Sequence, residues 1–131
     1  MDKPVIKQDP LHQLLRTEDI KGFNQQRDHL DTSELKNGDY RGRDLRNMNA
    51  AGLDFSNSYF RNADLSGIDF RHARLEGTSL FASKLVNCDF RGSDLRSANL
   101  NGAWLMGADF SGAVLTGTSL PSVGVLGGTV K

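Results

Sequence analysis

Residues 63–67 read A-D-L-S-G, 93–97 S-D-L-R-S, 98–102 A-N-L-N-G and 108–112 A-D-F-S-G. All four lie in one register of period five that runs unbroken from Leu35 to Leu120. Taking every fifth residue along it gives eleven Leu, five Phe, Tyr40 and Ala50, so seventeen of eighteen positions are large and apolar. Two residues before each of them the chain places mostly small residues, including Ala63, Ala73, Ser83, Cys88, Ser93, Ala98, Ala103, Ala108 and Ala113. The residue in between is often Asp or Asn. Two residues after each apolar position comes Gly nine times and Asn five times, the residues that tolerate turn geometry.

A period of five matches neither the 3.6 of a helix nor the alternation of a strand. A short extended piece followed by a turn does fit. If each pentapeptide forms one side of a square coil, its large residue and the small residue two earlier point inward, and four sides close a coil of twenty residues. Coils stacked at the usual strand spacing of about 4.8 Å turn residues 33–122 into about 4.5 coils and a rod about 22 Å long. Residues twenty apart then form ladders: Leu45, Leu65, Leu85 and Leu105; Phe70, Phe90 and Phe110; Phe55, Leu75, Leu95 and Leu115. A narrow shaft needs two inward residues in five, which accounts for an apolar content of only 37% in 131 residues.

The quoted units resemble the pentapeptide-repeat family over about two thirds of the chain. The resemblance implies an all-β solenoid, a right-handed quadrilateral β-helix, and a bacterial source. It also implies a second functional reading, since some members protect or inhibit DNA gyrase by imitating duplex DNA. Ten basic and ten acidic side chains between residues 33 and 122 make this rod a short and poorly charged imitation.

Solenoid ends expose strand edges and uncovered core. Residues 1–32 are expected to form an N-terminal α-helical cap. Asp9-Pro10 starts one helix carrying Leu11, Leu14 and Leu15, and Thr17 is expected to cap a second with Ile20 and Phe23. Arg43, Met48 and Leu53 violate the small inward slot in the first full coil and are read as contacts to that cap. From Pro121 the register is lost, and residues 123–131 read as an apolar tail that covers the far end or joins a second copy.

Sixteen basic and sixteen acidic side chains give zero net charge, which argues against direct nucleic-acid binding. No run approaches a membrane span, and a single cysteine with no apolar leader at the start suggests a cytoplasmic setting. No nucleophile motif, phosphate loop or metal-spaced cluster is present, and His12, His29 and His72 lie far apart. No catalytic, cofactor or metal site is therefore expected, and Cys88 reads as a small buried hydrophobe.

Two surface features stand out. Asp69, Asp89 and Asp109 fall in one outward column, suited to a cation or a phosphate-like display. Arg71 and Arg91 beside them, with Asp44, Arg46 and Asp64 on another side, favour a salt-bridge lattice instead. Phe81, Val86, Trp104, Met106 and Val114, with Lys84, are outward positions whose composition is that of an interface centre. The expected function is a non-catalytic structural or protein-binding module whose partner is another protein or a second copy of the chain.

Overall fold

The computed structural model describes residues 6–121. Two helices come first, α1 (Pro10–Arg16) and α2 (Ile20–Gln26). Asp9 caps α1, its carboxylate accepting the His12 N–H, with Pro10 at the first helical position as the sequence suggests. The cap of α2 differs from the expectation. Asp19, not Thr17, accepts the Gly22 N–H, because the Thr17 hydroxyl is already turned back onto the Gln13 and Leu14 carbonyls at the end of α1.

From residue 39 onward the chain makes single parallel bridges between residues twenty apart, such as Asp39 to Tyr59, Asp44 to Asp64, Asn49 to Asp69 and Asp54 to Arg74. These bridges define four faces. We call them the Tyr59 face (39, 59, 79, 99, 119), the Trp104 face (44, 64, 84, 104), the Asp89 face (49, 69, 89, 109) and the Arg74 face (54, 74, 94, 114). Every fifth residue from Asn37 to Gly117 has φ between 57° and 75°, so each corner is a left-handed residue. At Gly107 the corner also lacks room, since a Cβ would come within 2.0 Å of Asn87 Oδ1.

The inner ladders form as the period predicts. Phe70, Phe90 and Phe110 stack with centroids 5.2 and 4.7 Å apart and planes within 5° and 3° of parallel. Tyr40 stacks on Phe60 at the start of the ladder on the opposite side. Burying one such ring contributes roughly 1.5–3 kcal/mol. Leu11, Leu15 and Phe23 of the helices belong to the same buried cluster as Met48 and Leu53. Arg43, the third residue that breaks the small slot, is only half-buried, and its Nε has no hydrogen-bond partner among the described residues.

A backbone count explains the Asp and Asn before each core residue. Around Phe70, the Phe70 and His72 N–H groups donate forward to Asp89 and Arg91 carbonyls, Asp89 N–H donates back to Ile68, and Ala73 N–H closes the turn onto Phe70. Four N–H groups of five are thus taken by backbone. The fifth, directly after the core residue, goes to the side chain two positions earlier: Arg71 N–H to Asp69, Arg91 N–H to Asp89, Asn101 N–H to Asn99. All ten such Asp and Asn residues from Asp39 to Asp109 accept this bond. A short side-chain acceptor bonding two residues on is what Asp and Asn do in Asx turns.

Candidate protein-binding face

Asp69, Asp89 and Asp109 are bridged in register on one face. Each takes the N–H of the second residue on, and Arg71 and Arg91 fork onto Asp69 and Asp89 at 2.7 Å. The Arg71 hydrogen bond, followed by desolvation acting the other way, holds the Asp69 carboxyl below its ordinary range, and Arg91 does the same for Asp89. Arg71 also reaches Asp89 across the coils at 3.8 Å, and Arg46 links Asp44 and Asp64 in the same manner. These carboxylates are engaged in the lattice. Among the described residues no group of three His, Cys, Asp or Glu is placed to hold a metal ion.

The apolar candidates divide. Lys84 and Trp104 are bridged on one face, with the Lys84 ammonium 5.1 Å from the indole centroid. Val86 and Met106 follow them by two residues in the neighbouring column of the same side. Trp104 is 45% and Met106 37% exposed. Phe81 sits at the edge where the Tyr59 face turns into this one, half-buried beneath the Arg61 guanidinium at 4.8 Å. Val114 is the correction. It is bridged to Asp94 on the Arg74 face, across the rod from Trp104, so its 44% exposure adds nothing to the Trp104 patch. The tail at 123–131 lies outside the described residues.

Sequence reasoning missed what the Asp and Asn positions do for the backbone, and so missed where that bond is given up. Tyr59, Arg74, Ser79, Lys84, Trp104 and Val114 stand at such positions without offering the acceptor. Four of the six lie on the adjoining Tyr59 and Trp104 faces. The departure from D or N was visible in the sequence; its energetic meaning needed the hydrogen bonds.

A protein-family model described as pentapeptide repeats (8 copies) matches the chain over residues 44–77, 73–112 and 98–121. The chain belongs to the pentapeptide-repeat family. The fold of pentapeptide-repeat proteins is a right-handed β-helix, in keeping with the parallel register of twenty. Among solved structures, the chain is similar to a pentapeptide-repeat protein from Nostoc PCC 7120, at 28% identity and TM-score 0.41, covering 65% of this chain and 75% of that one. It is also similar to a pentapeptide-repeat protein of the Arabidopsis thaliana thylakoid lumen, at 25% identity and TM-score 0.33, covering 75% of this chain and 65% of that one. A trypsin-treated form of QnrB1, a plasmid-mediated fluoroquinolone resistance protein, aligns at 20% identity and TM-score 0.42, covering 78% of this chain and 65% of that one. No curated protein matches. Among the described residues no helix is long and apolar enough to cross a membrane.

Proposed function

We propose that this pentapeptide-repeat chain is a non-catalytic module that presents the Trp104 face to a protein partner in the cytoplasm. Residues 33–122 are its rod of about 4.5 coils and residues 1–32 its helical cap. The observation that carries the reading is exposed Trp104 on a column where the Asp or Asn that would serve the backbone is replaced by Lys84 and Trp104, with Met106 exposed in the neighbouring column. A local rule broken without local compensation marks a surface kept for something other than folding. Indole, thioether and a cation-π pair are the composition of an interface centre. Face columns that are flat and repetitive suit a protein surface better than a small substrate.

The test uses the native chain, Trp104→Lys and Val114→Lys as baits, with recovered proteins and oligomeric mass measured together. The reading expects a protein bound by native and Val114→Lys chains and lost from Trp104→Lys. If the mutation only turns a dimer into a monomer, the partner is a second copy. Recovery of gyrase by all three baits equally would point to the DNA-like alternative and away from the Trp104 face.

A further inference from the structure

Six arginines directly follow a core residue: Arg41, Arg46, Arg61, Arg71, Arg91 and Arg96. Five are clamped at 2.7–2.8 Å on the Asp two residues earlier, respectively Asp39, Asp44, Asp69, Asp89 and Asp94. Arg61 is the exception, because Tyr59 occupies the place of that Asp. Its guanidinium lies 4.8 Å over the Phe81 ring and, among the described residues, makes no ion pair or hydrogen bond. Stacking holds the plane in place while leaving all five N–H donors free.

Arg61 lines a groove of about 390 Å³ along the Tyr59 face. Arg41 stands one coil below it, with Nε and Nη2 on Asp39 and, among the described residues, no hydrogen bond from Nη1. The other polar groups of the lining include the Tyr59, Ser79 and Ser97 hydroxyls and the Asn99 amide, whose oxygen is taken by the Asn101 N–H and whose NH₂ remains to donate. No carboxylate lines the groove. On a rod of zero net charge this is a concavity of donors.

We propose that this groove docks an extended, carboxylate-bearing segment of the protein partner, with Arg61 as the fork that grips a carboxylate. The planar guanidinium matches a carboxylate with two parallel hydrogen bonds. Arg41 and Arg61 share a column about 4.8 Å apart, and side chains on one side of an extended strand repeat every 6.6 Å or so, within reach of both cations. A polyanion such as nucleic acid fits poorly, because a rod of zero net charge offers no extended cationic track beyond the groove. The proposal rests on the rod being a protein-binding module and extends that surface from the Trp104 face around Phe81.

Fluorescence anisotropy with a labelled peptide alternating glutamate and glycine, beside its glutamine counterpart, tests it directly. The native chain is expected to bind the glutamate peptide, more weakly as salt rises, and to ignore the glutamine one. Arg61→Gln should weaken binding about tenfold, whereas Arg71→Gln, whose guanidinium is already clamped, should stay within about twofold. Phe81→Ala keeps the charge and loses the stack, and should fall between them. Equal binding by Arg61→Gln and native chains, equal binding of both peptides, failure of the native chain to bind, or displacement of the peptide by inorganic phosphate at matching concentration would each overturn the proposal. If a captured partner depends on Trp104 while the peptide does not depend on Arg61, this inference alone fails; the reverse result removes only the Trp104 face.

Discussion

The two ends of the rod are made of the same pentapeptide and finished differently. At the N-terminal end Leu35, Tyr40 and Leu45 are fully buried, and the edge of the first coil is met by side chains from the preceding segment. Glu18 accepts the Asp44 N–H, Asn24 accepts the Asn49 N–H and donates to the Asn47 carbonyl, and Arg16 donates to the Asp39 carbonyl. Arg27 spans two carbonyls, those of Asn49 and Ala51. At the other end the same ladder positions emerge: Phe110 and Leu115 are half-buried, and Leu120 is 50% exposed. An inward register therefore does not bury a residue by itself; in a stacked fold, the neighbour above and below does so.

Removing residues 1–32 should break the contrast most completely. It uncovers Tyr40 and leaves the first edge with unpaired backbone groups, so we expect aggregation or loss of a cooperative thermal transition. A truncated chain that stays monomeric and melts as the native one does would show that the helices are not a cap. Next comes Phe90→Ala, flanked by rings on both sides, at about 3–5 kcal/mol. Phe110→Ala, partly open, should cost about half of that or less, and equal costs in urea titrations would remove the distinction between middle and end.

Arg27→Ala sharpens the comparison at the level of single hydrogen bonds. Its side chain is largely covered and serves two carbonyls, so a loss of about 1–3 kcal/mol is expected. Arg96→Ala removes an exposed lattice member and should cost less than about 1 kcal/mol. The smallest effect concerns pH. His12 is buried, and its Nδ1 lies 3.1 Å from the Tyr40 hydroxyl. That hydroxyl donates to the Leu35 carbonyl at 2.8 Å, so Nδ1 carries the proton and the buried Nε2 has no partner among the described residues. Burial, the largest influence, lowers the His12 pKa from its ordinary 6.5, with Asp9 opposing and Lys7 and Arg16 assisting. The unfolded chain then binds the proton first as pH drops below 6.5, so stability is complete above that value and declines on acidification until the folded imidazole titrates. His12→Asn should flatten this decline in melts between neutral and mildly acid pH.

The core was legible because a five-residue period survives every local detail: Phe70, Phe90 and Phe110 could be placed on one another from their numbers alone. The lattice of Arg71 and Arg91 with the Asp column was legible for the same reason. Other features depended on distance or on competing local bonds. The His12–Tyr40 pair joins residues 28 apart with no pattern linking them. Thr17 and Asp19 are both capping residue types, and the task falls to Asp19 because the Thr17 hydroxyl is committed to the end of α1 ahead of the left-handed turn at Glu18, with φ 63°. Val114 was grouped with Trp104 by hydrophobicity, while counting by twenties puts it two faces away.

Cys88 gives the stacked architecture a built-in clock. Its thiol is buried in the Phe90 pentapeptide, directs its proton to the Leu65 carbonyl, and is pushed up to about 12, chiefly by desolvation. A reagent that needs thiolate can reach it only when the coils on either side separate. The rate of Cys88 modification therefore reports how often the middle of the rod opens, and comparing that rate after damage at one end or the other measures how far a lost neighbour is felt along the stack.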